Sequence, residues 1–447
     1  MKEPNVSVAI ITDEQISFEL HGEYKCSCKK NKCSGTYIAK AKGNVIELTK
    51  GSESTTVDDN TVFSPGDLNS ESFRIKGVLI GKQFHWQRKE NQVFLGSLKL
   101  IIEGDQVTVI NVIPVEHYLE SVISSEMSAT SSVELLKAHA IISRSWLLAQ
   151  IEKRKGIDSS DQIYESTIES EEEIIKWYDR EDHNRYDVCA DDHCQRYQGI
   201  TKMYAHSAQD AVAKTRGIVL KYENDICDAR FSKSCGGITE SFENVWEPIE
   251  HPYLKSIVDY KFENDIYDLD LRKERAAEKW IRENPHAFCN TSDEKILSQV
   301  LVDYDRQTTD FFRWKVKYKQ SELAELIKSR SGIDFGEIVD LVPVDRGYSG
   351  RLIKLKIVGT KKTLTIGKEL EIRKVLSKTH LYSSAIVIDK LDFVDNIPQK
   401  FVLTGAGWGH GVGLCQIGAA VMGEMGYSFD EILLHYFKCA FIKKIYD

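Results

Sequence analysis

The sequence EHYLESVISSEMSATSSVELLKAHAIISRSWLLAQ, residues 116–150, decides the fold of this chain. Apolar residues recur through its second half at the spacing of an α-helix, which predicts one buried stripe. The pattern predicts two helices joined by a tight break, with Glu126 at the join. Ser131 and Glu134 together fit a capping box, so we expect the second helix to begin there.

The acid at the join is the first candidate for chemistry. Glu126 stands in a Ser-Ser-Glu-Met setting beside apolar helix faces, where desolvation would favour its protonated form. A carboxyl group that donates a proton near neutral pH needs such surroundings. Most glutamates at helix ends are instead solvated caps, so the sequence alone leaves both interpretations open.

The rest of the chain predicts an α+β fold, with mixed, largely antiparallel strands around the buried helical pair. Residues 1–114 contain short alternating apolar runs such as VSVAI, ISFEL and FRIKGVLIG, broken by Gly, Asn and Asp, and predict a β-rich N-terminal region. Residues 115–447 predict a second region, with a charged helical insertion near 255–320. No linker rich in Pro, Gly or Ser and no internal repeat divides the chain further.

Charge and hydropathy exclude two classes of function. The chain has 447 residues and a net charge of −9, which argues against a protein that binds duplex nucleic acid through a basic face. No apolar run is long enough to cross a bilayer, so we expect no transmembrane segment. The N-terminus lacks the features of a signal peptide, which indicates either a cytoplasmic chain or one whose export signal has been removed.

Soft and borderline metal ligands occur together in HNRYDVCADDHCQRYQGI. His183, Cys189, His193 and Cys194 supply four such ligands within a dozen residues. Thiolate and imidazole ligands suit tetrahedral zinc, and four protein ligands would make the site structural because no position is left for water. A loop whose cysteines and histidines serve packing and hydrogen bonding is the alternative.

A second group of cysteines lies in the N-terminal region. Cys26, Cys28 and Cys33 are close in sequence, but only His21 is available as a fourth ligand. We therefore expect a reduced hairpin loop there in preference to a metal site.

The glycine-rich segment GAGWGHGVGLCQIGA, which begins at Gly405, offers an aromatic group and an imidazole in a loop. Trp408 is a flat surface of the kind that stacks on sugars, and His410 is a titratable neighbour. The spacing of the glycines fits neither a dinucleotide-binding loop nor a P-loop. A glycine-rich turn around a buried tryptophan is the alternative.

Several of these segments resemble the sporulation stage II protein D family, which includes amidase-enhancer proteins of the LytB type (SpoIID/LytB). The resemblance rests on three groups of residues: Tyr118, Leu119, Glu126, Met127, Leu136, Lys137, Ala138, Ala140 and Arg144; Asp187, Cys189, His193, Cys194, Gln195 and Tyr197; and Ser234, Gly236, Gly237, Thr239, Trp246 and Gly407–Ala419. His139 replaces the usual glutamine, and Leu414 and Cys415 replace a Met-Ser pair.

The resemblance implies binding to peptidoglycan glycan strands and lytic transglycosylase activity, in the cell envelope or periplasm. It identifies Glu126 as the single general acid/base, which cleaves between MurNAc and GlcNAc and leaves 1,6-anhydro-MurNAc ends. Most glycosidases need two carboxyl groups, and for that case Asp187 and Asp191 are the candidates for the second one. The proposed substrate contacts are Lys137, Arg144, Gln195, Ser234, Trp408, His410 and Gln416. Arg144 has a structural ion pair as its alternative role.

Two other functions stay open at this point. The amidase-enhancer name implies a non-catalytic partner that binds glycan or stimulates a cell-wall amidase. A zinc hydrolase that acts on peptide or amide bonds is the third interpretation, since fold alone does not fix function.

Overall fold

The computed structural model describes residues 2–28, 32–81, 88–128, 130–157, 165–177, 183–191, 194–202, 206–261, 270–300 and 308–447. The strands are β1 Asn5–Asp13, β2 Gln15–Cys26, β3 Lys32–Lys42, β4 Val45–Lys50, β5 Glu53–Asp58, β6 Thr61–Ser64, β7 Ser72–Ile80, β8 Arg88–Leu95, β9 Ser97–Glu103, β10 Gln106–Pro114, β11 Thr167–Glu169, β12 Glu173–Lys176, β13 Val188–Cys189, β14 Ile218–Tyr222, β15 Asp225–Ile226, β16 Phe231–Ser232, β17 Arg313–Lys319, β18 Ile338–Arg346, β19 Leu352–Gly359, β20 Thr363–Gly367, β21 Ile386–Val394, β22 Ile397–Ala406, β23 Leu414–Cys415 and β24 Phe441–Lys444. The helices are α1 Val115–Glu126, α2 Val133–Ile157, α3 His206–Lys214, α4 Glu274–Arg282, α5 Glu294–Val300, α6 Gln320–Ser331, α7 Glu369–Val375, α8 Gln416–Glu424 and α9 Phe429–Tyr436.

The predicted α+β class is confirmed, including the β-rich N-terminal region. Strands β1 to β10 fill residues 5–114 and form one large sheet with β13, in the order β13-β1-β10-β9-β6-β2-β3-β4-β5, with β7 and β8 branching from β2. Buried and exposed residues alternate along strands such as β4, as expected for a sheet with one face on the core. Among the strands that the structure describes in this sheet, β13 pairs in parallel with β1 and the others pair antiparallel.

The central helix is α2, which is buried on nearly all sides. From Leu135 to Leu148 only the side chain of Lys137 reaches even partial exposure. A helix that is buried all round lies in the core of a larger assembly of elements, and α2 packs against α1, α3, α8, α9 and β14. None of the helices that the structure describes is long and apolar enough to span a membrane.

The predicted capping box at the start of α2 is wrong by one residue. The hydroxyl of Ser132 accepts the backbone N–H of Leu135 at 3.3 Å, which makes Ser132 the N-cap. Ser131 instead donates its hydroxyl to the carbonyl of Gln299 at 2.8 Å. The Glu134 carboxylate accepts from Lys137 and from the backbone N–H of Phe429, so tertiary contacts outcompete the local capping geometry.

A buried ion pair joins the two helices. Arg144 of α2 makes two parallel hydrogen bonds to the carboxylate of Glu116 of α1, at 2.9 and 2.6 Å, and its side chain is fully buried. The same carboxylate also accepts the hydroxyl of Tyr446 at 2.6 Å. Arg144 donates further to the carbonyl of Ile218 in β14, so the pair holds four parts of the chain together.

Two hydrophobic cores organise the packing. The larger one contains side chains from the N-terminal sheet, α1, α2, α8 and α9, such as Phe18, Leu119, Leu147 and Ile417. The smaller one lies between β17–β22, α6 and α7. The predicted division after residue 114 coincides with the start of α1, although the larger core continues across it, so the division stays a prediction. The described part of the predicted insertion near 255–320 includes α4 and α5.

The expectation of a reduced hairpin loop around Cys26 is wrong. Cys26 and Cys28 form a disulfide, and their Cα atoms are 5.3 Å apart, within the range that a disulfide spans. Both residues lie where β2 runs into its turn, which brings the two thiols together. Cys33 is buried in β3.

Removing the buried cation should strongly destabilise the fold. We expect Arg144→Ala to lower the free energy of unfolding by about 3–5 kcal/mol, because the Glu116 carboxylate would stay buried without its partner. Arg282→Ala is the matched control, since Arg282 pairs with Asp389 in the same two-bond geometry at the surface. It should cost less than about 1 kcal/mol. Urea unfolding of both variants checks this, and equal losses would contradict it.

Candidate functional site

Glu126 is the last residue of α1 and is partly exposed. The chain leaves the helix directly after it, because Met127 adopts an extended conformation and buries its side chain. The Glu126 carboxylate accepts the backbone N–H of Arg196 at 3.3 Å. The predicted position at the join of two helices is therefore confirmed, and the carboxyl group is neither sealed in the core nor fully solvated.

Two thiols and an imidazole lie in the segment that contacts Glu126. His183, Cys189 and Cys194 bring their ligand atoms within 4.8 Å of one another, and the distance from Cys194 Sγ to His183 Nε2 is 3.6 Å. All three residues are partly exposed. His193, the fourth predicted ligand, lies outside the described residues.

Tyr118 connects this cluster to Glu126. Its ring stacks on Tyr197 with centroids 5.0 Å apart, and its hydroxyl donates to Gln195 Oε1 at 3.3 Å. Burial raises the pKa of Tyr118 well above its ordinary value, with further contributions from Cys194, Tyr197, Cys189 and Glu126. The Glu126 carboxylate and the two thiols therefore all contribute to the raised pKa of the Tyr118 phenol.

Gln195, predicted to bind substrate, is buried between the two helices. Its amide nitrogen donates to the carbonyl of Ser143 in α2 at 3.4 Å, while its oxygen accepts from Tyr118 of α1. Its contacts are those of a residue that holds α1 and α2 in register. Arg144 is likewise buried in its pair with Glu116, which is the structural alternative to a substrate contact.

Trp408 belongs to a partly exposed group of aromatic rings. Its ring stacks on Tyr382 with centroids 4.0 Å apart and packs against Phe311 at 4.6 Å. Trp314 meets the far side of Tyr382 edge-on at 5.2 Å. Sequence reasoning missed Tyr382 and Phe311, since neither stands near Trp408 in the sequence and only the fold brings them together.

The glycines around Trp408 allow two loops to pack backbone against backbone. Ser234 and Trp408 exchange backbone hydrogen bonds at 3.0 and 2.8 Å. Gly407 has a φ of +74°, and a Cβ there would lie 2.8 Å from the Ser234 carbonyl oxygen. The close approach that these glycines permit is therefore between protein segments. The side chain of Ser234 is fully buried in this contact.

His410 is held as a neutral imidazole, and its ring meets that of Trp246 edge-on with centroids 5.1 Å apart. Desolvation, with the cations Arg230, Arg373 and Arg351 nearby, lowers the pKa of His410 well below its ordinary value. Its Nδ1 accepts the backbone N–H of Val412 at 3.0 Å, so the other nitrogen carries the proton. The backbone of Phe231 also hydrogen-bonds the ring, so His410 is a neutral imidazole with partners inside the protein.

Gln416, another predicted substrate contact, is buried at the start of α8. Its amide nitrogen lies 3.1 Å from Nε2 of His139, and Nδ1 of His139 lies 3.3 Å from the Ser143 hydroxyl. Burial, with the ammonium group of Lys233 nearby, lowers the pKa of His139 to about 3. The neutral ring therefore accepts from Gln416 and donates to Ser143, and it links α8 to the middle of α2.

Lys137 is partly exposed at the start of α2. Its ammonium group contacts the Glu134 carboxylate at 2.6 Å and lies 5.5 Å from the ring of Phe429. Of the candidates for a second acid, Asp187 accepts the backbone N–H and the hydroxyl of Ser7 at 2.8 and 2.6 Å. The backbone carbonyl of Asp191 accepts from Cys194.

The end of α5 connects Glu126 to the aromatic rings. The carbonyl of Gln299 accepts the backbone N–H of Ser128, two residues after Glu126, at 2.9 Å. The next carbonyl, of Val300, accepts the ammonium group of Lys233 at 2.7 Å. Lys233 directly precedes Ser234, which pairs with Trp408. The acid and the Trp408 loop are thus attached to the same end of one short helix.

Comparison with known proteins identifies the segment that carries Glu126. The family model described as "Stage II sporulation protein" matches residues 103–222, from the end of β9 to β14. Residues 103–222 are therefore similar to the SpoIID family. A second model, described as a domain of unknown function (DUF8618), matches residues 240–413, which include the Trp408 loop.

Relatives match across most of the chain at low identity. An uncharacterized protein of Brachyspira hyodysenteriae is 25% identical over 344 residues, which cover 77% of this chain and 70% of that protein. Stage II sporulation protein D of Bacillus amyloliquefaciens is 24% identical over 73% of each chain. The amidase enhancer of Bacillus subtilis is 24% identical over 71% of this chain, but the match spans only 39% of that protein. The resemblance to the SpoIID and amidase-enhancer family is confirmed.

Acid should weaken the fold of this protein through His139. In the unfolded chain the imidazole of His139 takes up a proton below about pH 6.5, whereas in the folded protein its pKa is about 3. The contribution of the neutral imidazole to the free energy of unfolding is therefore complete above about pH 6.5 and is lost as the pH falls towards 3. We expect His139→Gln to remove this dependence while it keeps a polar partner for Gln416. Between pH 7 and pH 5 the native protein should lose about 2 kcal/mol more than the variant.

Urea unfolding at the two pH values measures this difference. His206→Gln, at an exposed position in α3, is the control and should keep the native pH dependence. If His139→Gln lost as much free energy of unfolding between pH 7 and pH 5 as the native protein, the assignment of a neutral, buried imidazole would be contradicted.

Proposed function

We propose that this protein is a peptidoglycan lytic transglycosylase in which Glu126 is the only general acid/base. The observation that carries the proposal is the position of Glu126, which is partly exposed at the end of α1 within the SpoIID-family segment. Its attachment, through the end of α5, to the loop that holds Trp408 supports a site that includes both.

One carboxyl group is sufficient for this reaction. Protonated Glu126 gives its proton to the glycosidic oxygen as the bond between MurNAc C1 and that oxygen breaks. The carboxylate then takes the proton of the C6 hydroxyl of the same MurNAc, whose oxygen bonds to C1 and closes the 1,6-anhydro ring. No water is consumed, and the proton that Glu126 donated is restored. The ties of Asp187 to Ser7 are compatible with a site without a second acid.

The aromatic group supplies the binding surface in this proposal. Trp408 is backed by Tyr382 and Phe311, which fix the plane of its ring before a ligand arrives. A rigid ring stacks on the C–H face of a sugar at little entropic cost. His410, next in the loop, remains a proposed contact as a neutral imidazole. Lys137 remains a proposed contact, whereas Arg144, Gln195, Ser234 and Gln416 support the fold around the site.

Zinc at His183, Cys189 and Cys194 is the second part of the proposal. The donor set fits, because two thiols and an imidazole within 4.8 Å suit a tetrahedral ion. When bound, the ion would supply positive charge and a crosslink in the segment that contacts Glu126. The three residues themselves would hold the chain between 183 and 194 against α1, and thereby set the position of the Arg196 N–H that Glu126 accepts.

A non-catalytic role is the second candidate, and the amidase enhancer among the relatives favours it. In that case the Trp408 surface would bind glycan strands while a cell-wall amidase cleaves its own substrate. Both candidates imply peptidoglycan as a ligand and the cell envelope as the place of action, and the names of the sporulation relatives agree with this.

Glu126→Gln separates the two candidates. We expect this variant to lose at least about 100-fold in the release of anhydro-MurNAc products from defined glycan strands, because the amide cannot donate and regain the proton. Binding to insoluble peptidoglycan should persist, since the change keeps size and shape. Mass spectrometry of the soluble products and a sedimentation assay measure the two quantities.

Glu120→Gln is the matched control, because Glu120 is another partly exposed acid on α1. It should retain native activity. Undiminished product from Glu126→Gln would refute the assignment. No product from the native protein, together with stimulation of an amidase, would establish the non-catalytic role.

A further inference from the structure

Four buried donor groups converge beside the glycine-rich loop, at a distance along the sequence from the His183 cluster. They are the thiols of Cys235, Cys289 and Cys415 and the carboxylate of Asp259, and none is more than 2% exposed. Their ligand atoms all lie within 4.8 Å of one another. Cys415 stands where the SpoIID pattern has a serine, so this thiol is a feature of this chain and not of the motif.

We propose that Cys235, Asp259, Cys289 and Cys415 bind one zinc ion. Two thiolates on a tetrahedral zinc lie about 3.8 Å apart, since each Zn–S bond is about 2.3 Å long. The Sγ atoms of Cys235 and Cys289 are 3.5 Å apart, and Cys235 Sγ lies 3.3 Å from Asp259 Oδ2. The four groups are thus already spaced for a single ion. An iron–sulfur cluster would hold its ligands farther apart.

The surroundings are built for anionic ligands. The backbone N–H of Cys235 points at Cys415 Sγ at 3.2 Å, and that of Cys289 donates to Asp259 Oδ2 at 3.2 Å. The Tyr436 hydroxyl donates to Asp259 Oδ1 at 2.7 Å. Such outer donors orient metal ligands and stabilise their charged forms. Fixed donors of this kind have little purpose around three neutral thiols.

Two alternatives explain less of the arrangement. A disulfide between Cys235 and Cys289 would need their sulfurs at about 2.05 Å and would leave Cys415 and Asp259 unexplained. An ion pair accounts for Asp259 only in part, since His435 Nε2 lies 3.7 Å from its carboxylate. A buried carboxylate with three thiols around it is balanced best by a divalent cation.

The zinc would be structural and would brace the Trp408 loop. Four protein ligands leave no open position for water or substrate. Cys235 follows the residue that pairs with Trp408, and Cys415 immediately precedes α8, so the ion would fix both flanks of the loop. Asp259 and Cys289 would tie this loop to the region between β16 and β17. The site stands independently of the proposed glycan chemistry.

Zinc content tests the proposal without an activity assay. The full chain is purified with His183→Ala, Cys189→Ser and Cys194→Ser, so that the other cluster contributes no metal. Inductively coupled plasma mass spectrometry should find about one zinc per chain in this background variant. X-ray absorption at the zinc K-edge should show three sulfur ligands at about 2.3 Å and one oxygen ligand at about 2.0–2.2 Å. Adding Cys289→Ser should lower the zinc content at least about fivefold.

Cys227→Ser is the matched control, because Cys227 is also a fully buried thiol but lies outside both clusters. It should keep the zinc. A folded background variant without zinc would overturn the proposal, as would a K-edge spectrum without three sulfur ligands. Detection of a Cys235–Cys289 disulfide by alkylation and peptide mass spectrometry would also overturn it. The spectrum of the background variant decides the matter even if the Cys289 variant does not fold.

Discussion

The buried ion pair between Glu116 and Arg144 fixes the arrangement on which the rest of the structure depends. It joins α1 to α2, and through Ile218 and Tyr446 it also joins β14 and the C-terminal segment. Because a buried charge without its partner is costly, the pair favours the arrangement in which these four parts of the chain meet. Glu126 ends the helix that this pair anchors, so the pair determines where the acid stands.

The proposed site draws on two parts of the chain that both contact the end of α5. One part carries Glu126 and the thiol–imidazole cluster, and the SpoIID match covers it. The other carries Trp408, Tyr382 and Phe311, which form a rigid aromatic group. Backbone contacts at Gln299 and Val300 hold both parts, so binding and proton transfer would be coupled through the packing of a single helix end.

The local sequence pattern predicted the helices α1 and α2 and the break between them. It could not predict how deeply a residue is buried or which residues distant in sequence come into contact. Helical spacing and a polar break were enough to find α1, α2 and the position of Glu126. The same pattern could not show how deeply α2 and the start of α8 are buried, and the predicted substrate contacts Arg144 and Gln416 lie in the interior. The cluster of Cys235, Asp259, Cys289 and Cys415 spans 180 residues, and no spacing rule connects such distant ligands.

The central claim is that Glu126 works alone and that the substrate supplies the nucleophile. Digestion of defined glycan strands in water enriched in oxygen-18 tests this most directly, because a transglycosylase takes no oxygen from the solvent whereas a hydrolase takes one atom at each cleavage. The account predicts 1,6-anhydro-MurNAc ends without the heavy isotope in the mass spectrum. New reducing MurNAc ends in place of the anhydro ends would contradict it, since water would then be the nucleophile.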